Sequence, residues 1–74
     1  MAAPVLLYTA DGCPHCEAMR VALAARGAVV EEINVSSQRQ AIPELLKLTR
    51  GKRVVPVVVD DGRVIVAPEG GSAF

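Results

Sequence analysis

The sequence predicts a single α/β domain with a four-stranded mixed sheet, and three observations lead to that prediction. A short apolar segment at residues 4–9 is followed by a helix-forming segment that begins at Pro14. A second strand-like segment at residues 28–35 is followed by a second helix-forming segment. Residues 54–67 form two apolar runs around an Asp-Gly pair, which is the pattern of a β-hairpin. The predicted order is therefore β-α-β-α-β-β.

The first three elements are predicted from residue type. Residues 4–9 are apolar with a β-branched and aromatic end, which favours a buried strand. Residues 14–26 are rich in Ala, Leu, Met and Arg, which favour helix, and Gly27 supplies a stop. A β-α-β unit places its strands parallel with a right-handed crossover. The second strand, at residues 28–35, is expected to carry on one face Val29, Ile33 and Val35.

The second helix has conflicting start signals. Ser37 and Gln40 have the spacing of a capping box, yet Pro43 falls inside the helical pattern that follows. The sequence therefore predicts a turn before Pro43 and a helix from Pro43 to Arg50, ended by Gly51. The last seven residues are too few and too glycine-rich to predict a helix.

Length and composition limit the functions that this chain can have. Residues 1–74 suffice for one small domain and leave no room for a second. Eight basic and eight acidic residues cancel, which argues against a non-specific binder of nucleic acid or of an anionic membrane. No apolar run approaches the ~20 residues that a membrane span needs, and the N-terminus lacks the positive region of a signal peptide. We therefore predict a cytoplasmic protein.

The two cysteines of the chain lie together where the first helix begins. With Pro14 at the first helical position, Cys13 becomes the N-cap, where backbone N–H groups and the helix dipole favour a thiolate. Cys16 lies almost one turn later on the same side, and we expect it to be more buried and protonated. This asymmetry is typical of thiol–disulfide exchange in which Cys13 attacks and Cys16 resolves. A structural disulfide is disfavoured because so small a loop removes little chain entropy.

Neighbouring residues are expected to support this Cys-Pro-His-Cys pair. Gly12 allows another chain to approach closely. His15 is either a solvated residue or, as we prefer, a partly charged imidazole that stabilises the thiolate. Pro14, inside the motif, and Tyr8, at the end of the first strand, complete the predicted support.

Metal binding is the alternative function for the same two thiols. Thiolates suit Cu(I), and small copper carriers also place a CxxC pair between a strand and a helix. Their element order is β-α-β-β-α-β, which differs from the order predicted here. A structural zinc site usually needs four ligands, so it would have to form across a dimer, as would an iron–sulfur site. We predict no resident metal. Because the sequence has no nicotinamide, flavin or phosphate-binding motif, we also predict no tightly bound cofactor.

The segment "DGCPHC" at a helix start, followed by "VVP" at the start of a late strand, resembles the glutaredoxin branch of the thioredoxin superfamily. The short glutaredoxin-like (seleno)protein type is the most similar, over about residues 6–65. The resemblance implies a thioredoxin/glutaredoxin-like fold with the C-terminal helix absent or truncated, and a thiol–disulfide oxidoreductase activity. The implied substrates are protein disulfides or glutathione mixed disulfides. Glutathione would act as co-substrate, and thioredoxin reductase is the other candidate source of electrons.

The resemblance also implies a binding site for the substrate. It implies a cis peptide bond before Pro56, and a Val55 backbone that pairs with a bound thiol peptide as an added strand. Lys52 and Arg53 match the polar and basic pair of the family that contacts the glycine carboxylate of glutathione. From the residues alone, Pro56 is also a normal first residue of a strand, and the basic pair a solvated turn.

The chain departs from the family pattern in three places. Ala10 stands where the family has a lysine. Glu69 replaces the aspartate that grips the other end of glutathione. The missing last helix would expose apolar sheet, so we expect a monomer or a weak homodimer.

Overall fold

The computed structural model describes residues 4–68 and 70–74, and its fold is the predicted α/β fold. A mixed sheet of four strands has the order β2-β1-β4-β5. None of the helices in the described part of the chain is long and apolar enough to cross a membrane. The elements are β1 Val5–Thr9, α1 Pro14–Ala25, β2 Val30–Asn34, α2 Ile42–Thr49, β3 Val54–Val55, β4 Val57–Asp60, β5 Arg63–Val66 and β6 Ser72–Ala73.

The strand pairing follows from the connections. β1 pairs in parallel with β2 across the α1 crossover and antiparallel with β4. β4 and β5 form the predicted antiparallel hairpin. Its turn residues, Asp61 and Gly62, both have positive φ angles, 51° and 79°, as a tight hairpin turn requires.

The two helices pack on opposite faces of the sheet. Neighbouring residues of a strand point to opposite faces, so Leu7 and Tyr8 of β1 belong to different apolar clusters. Leu7 packs with Leu23 of α1, whereas Tyr8 packs with Leu45 of α2. The cluster around Tyr8 also contains both cysteines, so the core directly supports the dithiol.

The second strand and the segment after it differ from the prediction. Val29 lies before β2 and is 75% exposed; β2 is an outer strand, and the chain joins it only at Val30. The capping-box spacing forms no cap, and the predicted turn is present: the Ser37 hydroxyl donates to the carbonyl of Asn34, 3.2 Å away. Gln40 lies in a short 3₁₀ turn before α2, and neither that turn nor α2 has a side-chain cap.

The second helix is shifted by one residue at each end. It begins at Ile42, so Pro43 occupies the second helical position rather than the first. Pro43 is accommodated there because the N–H groups of the first turn have no partner inside the helix. The helix ends at Thr49, and Arg50, with φ 58°, adopts the left-handed conformation.

The chain after the hairpin provides the largest departure from the predicted element order. No helix follows β5 within the described residues, in agreement with the prediction. Instead, β6 pairs antiparallel with β3, with Val54 opposite Ala73 and Val55 opposite Ser72. The run predicted as one strand is divided at Pro56 into β3 and β4. Glu69 lies outside the described residues.

Candidate active site

The dithiol has the predicted position at the N-terminus of α1. Cys13 is the N-cap, with an extended backbone, and Pro14 is the first helical residue. The backbone N–H of Cys16 donates to the Cys13 sulfur at 3.2 Å. A sulfur therefore fills the place of an ordinary capping oxygen, and a negative charge there is favourable.

The two thiols have opposite ionisation tendencies. Cys13 is 8% exposed and Cys16 only 1%. Burial by itself raises the pKa of Cys13, but hydrogen bonds from Cys16, Ser72 and His15 outweigh it and bring that pKa below its ordinary value. Burial, followed by the hydrogen bond with Cys13, raises the pKa of Cys16 to about 12. At neutral pH, Cys13 is thus the better nucleophile and Cys16 a protonated thiol.

Ser72, in the short strand β6, also influences Cys13. Hydrogen bonding by its side chain lowers the pKa of this thiol. The contribution from His15 comes from its backbone N–H. Its imidazole is exposed and packs close to Gly70, where an added Cβ would lie 3.1 Å from the ring. A role for the imidazole in stabilising the thiolate stays a prediction.

Val55 and Pro56 lie against the dithiol. The peptide bond between them is cis, as the resemblance implies. The Cys13 thiol lies 3.8 Å from the carbonyl oxygen of Val55, to which it donates. Val55 is fully buried and belongs to the same cluster as both cysteines. The backbone of β3 therefore runs directly beside the nucleophilic sulfur.

Tyr8 and Gly12 flank the motif in different ways. Tyr8 is buried beneath the cysteines, and burial, helped by Glu44 and Glu31, raises its pKa, so the phenol stays neutral. Gly12 is exposed with φ 71°, and no atom lies within 4 Å of where its Cβ would be. The space above Gly12 is consequently open to an approaching molecule.

An open groove of about 410 Å³ leads to both sulfurs; we call it the thiol groove. Its far wall carries Arg20, whose guanidinium forms an ion pair with Glu32 at 2.7 Å. Glu32 also accepts a hydrogen bond from the hydroxyl of Thr9 at 2.9 Å. The groove is lined by Ala10, Asp11, Gly12, Cys13, Pro14, Cys16, Glu17, Arg20 and Asn34.

The structure separates the two basic residues that the resemblance assigns to glutathione. Arg53 lines a small groove that also contains Ala10 and Phe74, so it lies at the edge of the site. Lys52 is exposed and lines a different groove, beside Val64 of β5. Of the two, only Arg53 lines a groove that shares residues, Ala10 and Asp11, with the thiol groove.

Comparisons with known proteins agree with this geometry. The glutaredoxin family model matches residues 5–65. The chain belongs to the glutaredoxin family. Glutaredoxin 1 from Rickettsia felis is 34% identical over 58 residues, which cover 77% of this chain and 57% of that protein. The crystal structure of the glutaredoxin (grx-1) from Archaeoglobus fulgidus superimposes with a TM-score of 0.74 and 27% identity, covering 97% of this chain and 77% of that one.

Family membership accounts for the fold and for the position of the dithiol. The match spans the elements from β1 to β5 and includes the cysteines and Pro56. It ends before β6, so the strand that carries Ser72 belongs to a part of the chain that the family model does not cover. Within residues 4–68 and 70–74, no three His, Cys, Asp or Glu side chains come together as a metal site.

Proposed function

We propose that this glutaredoxin is a dithiol thiol–disulfide oxidoreductase in which Cys13 attacks the substrate and Cys16 resolves the intermediate. The observation that carries the proposal is the asymmetry of the pair. The pKa of Cys13 lies below the ordinary value, whereas that of Cys16 is raised to about 12. A structural pair or a symmetric metal site has no need of two thiols whose pKa values are shifted in opposite directions.

The first step is attack by the Cys13 thiolate on a substrate disulfide. A new S–S bond forms between Cys13 and one substrate sulfur, and the substrate S–S bond breaks. The second substrate sulfur leaves as a thiolate and takes a proton from solvent. The open space above Gly12 leaves room for the approaching molecule.

The second step depends on the change of charge in the first. While Cys13 is a thiolate, its hydrogen bond and its charge both raise the pKa of Cys16. Burial still raises the pKa of Cys16, but in the mixed disulfide the Cys13 charge is gone, so that pKa falls, and nearby Arg20 also lowers it. The Cys16 sulfur then loses its proton and attacks Cys13: a Cys13–Cys16 bond forms, the bond between Cys13 and the substrate breaks, and the substrate sulfur leaves as a thiolate that takes up a proton. The order of the two attacks therefore follows from the electrostatics of the site.

Reduction of the resulting Cys13–Cys16 disulfide completes the cycle. We propose glutathione as the reductant: one molecule attacks the disulfide and forms a mixed disulfide with Cys13, and a second releases oxidised glutathione. Two electrons thus pass from two thiols to the protein. Arg53, at the edge of the site, is the candidate contact for a carboxylate of glutathione. Such a cycle needs a compartment that keeps thiols reduced, and we propose the cytoplasm.

Two cysteine variants test the proposal. Cys13→Ser should abolish reduction of a disulfide substrate, because serine is not ionised at neutral pH. Cys16→Ser should accumulate a mixed disulfide at Cys13, which mass spectrometry of the intact protein detects. Equal activity of the two variants would contradict the assigned roles.

The reductant is tested by comparing two rates for the oxidised wild-type protein. Fast reduction by glutathione supports the proposal. Fast reduction only by thioredoxin reductase and NADPH would make the protein a thioredoxin-like carrier. If neither reductant acts and Cu(I) binds tightly, the metal-carrier alternative replaces exchange.

A further inference from the structure

The backbone edge next to the nucleophilic sulfur is already occupied in this chain. β6 runs antiparallel along β3, and Val55 lies opposite Ser72. The backbone N–H of Phe74 donates to the carbonyl of Arg53 at 3.3 Å. Hydrogen-bonded pairs recur at every second residue along an antiparallel ladder. Val55 and Ser72 are therefore expected to exchange backbone hydrogen bonds in the same way.

The same segment also affects the ionisation of the sulfur. The Ser72 side chain lowers the pKa of Cys13, whose thiol lies 3.8 Å from the Val55 carbonyl. An extended peptide that places its own sulfur against Cys13 would run along this edge as an added strand. One strand edge can pair with only one strand, so the peptide and the tail segment, residues 70–74, require the same position.

We propose that the tail segment is an internal strand in the position of the substrate backbone, and that it selects against extended peptide disulfides, which must displace it before they can pair with β3. This inference rests on the proposed exchange function. A small disulfide without a peptide backbone does not need that strand edge. It reaches Cys13 through the thiol groove with the tail segment still in place.

Few contacts hold the tail segment, and only Phe74 packs against the cluster around Tyr8. β6 has only two residues, Ser72 and Ala73. Arg53 adds a hydrogen bond from its Nε to the Phe74 carbonyl oxygen, at 2.9 Å, and its guanidinium lies 4.8 Å from the centre of the Phe74 ring. Both contacts are formed by an exposed arginine. A substrate that forms equivalent backbone hydrogen bonds can therefore displace the segment.

Gly71→Ala is the variant that displaces the tail segment without removing any of its contacts. A Cβ at Gly71 would lie 2.5 Å from the carbonyl oxygen of Val55 and 2.8 Å from a methyl of Val54. Because Val55 belongs to the buried core, the tail segment is the part that must move. Ala73→Ser is the matched control, since this exposed side chain lies on the same strand.

The kinetic test uses a short disulfide-bonded peptide and hydroxyethyl disulfide, which has no peptide backbone. Each variant is measured at a pH above the pKa of its Cys13, which is determined from thiolate absorbance. Cys13 is then ionised in every variant, so a change in the influence of Ser72 on that pKa does not affect the comparison. For Gly71→Ala, kcat/KM should rise roughly ten-fold for the peptide, because the peptide no longer has to break the one or two hydrogen bonds that hold the tail segment. For the small disulfide, kcat/KM should stay unchanged. An equal rise for both substrates, or a fall for the peptide, would overturn the proposal.

A second measurement does not depend on how Gly71→Ala folds. The Cys16→Ser variant is loaded with the same peptide as a mixed disulfide at Cys13, and amide hydrogen exchange is followed by NMR. The amides of Ser72 and Phe74 should exchange faster than in the unloaded variant. Amides that stay protected in a fully formed mixed disulfide would overturn the role of the tail segment alone. Failure to form the mixed disulfide would contradict the proposed function and, with it, this inference.

Discussion

Removal of the Ser72 hydroxyl should raise the pKa of Cys13. In the Ser72→Ala variant, the Cys13 thiolate loses one of its hydrogen-bond donors but keeps those from Cys16 and His15. A hydrogen bond to a charged group contributes roughly 1.5–3 kcal/mol, and one pKa unit corresponds to about 1.36 kcal/mol. Complete loss would thus raise the pKa by about one to two units. Water can partly replace the hydroxyl at this half-buried position, so we expect a rise of about one unit.

Alkylation by iodoacetamide measures this change directly. Only the thiolate reacts, so below the pKa of Cys13 the rate is proportional to the thiolate fraction. At such a pH, Ser72→Ala should react about ten-fold more slowly than the wild type, and the two rates should converge at higher pH. Ser37→Ala is the control, because its hydroxyl bonds to Asn34 instead. An alkylation profile for Ser72→Ala that coincides with the wild-type profile would refute the assigned hydrogen bond.

Two further predictions concern stability, measured by urea unfolding. Glu32→Gln should cost less than about 1 kcal/mol, because its ion pair with Arg20 is largely exposed. The Arg20 hydrogen bond holds the pKa of Glu32 below its ordinary value of 4.5. The stabilisation is therefore present above pH 4.5 and disappears as the pH falls through the folded-state pKa. A stability difference between Glu32→Gln and the wild type that persists in acid would contradict this explanation. Leu45→Ala should cost about 2–5 kcal/mol, since Leu45 is fully buried. Val29→Ala, at an exposed position, should cost less than about 0.5 kcal/mol, and equal losses would contradict the assigned core.

Local signals made the position of the dithiol predictable. The N-cap position of Cys13 depends only on Pro14 and the helix-forming residues after it, and the structure places both as predicted. The hairpin depends on Asp61 and Gly62, and it too forms as predicted. In both cases the residues that determine the geometry are neighbours in the chain.

The capping-box spacing is a misleading signal because nearby groups compete for the Ser37 hydroxyl. Ser37 matches a capping box with Gln40, but Asn34 offers a carbonyl to the Ser37 hydroxyl and its side-chain oxygen to the Ser36 N–H. These contacts form a turn in place of a cap. A spacing rule that considers only two residues does not include such competition.

The strand formed by the tail was not predictable from local pattern. Ser72 and Ala73 have no alternation or length that indicates a strand, and the residues before them are glycine-rich. Their conformation depends on pairing with β3, about seventeen residues earlier in the chain. The contact between Ser72 and Cys13 follows from that pairing, so the sequence motif alone contains only part of the active site.

A redox titration tests the central claim most directly. The protein is equilibrated in a series of glutathione buffers from reducing to oxidising, and the free thiols are counted after acid quenching. We expect a single two-electron transition in which both thiols, Cys13 and Cys16, are lost together, with no such transition in Cys13→Ser. A thiol count that stays constant across the series would contradict the assignment of this pair to disulfide exchange.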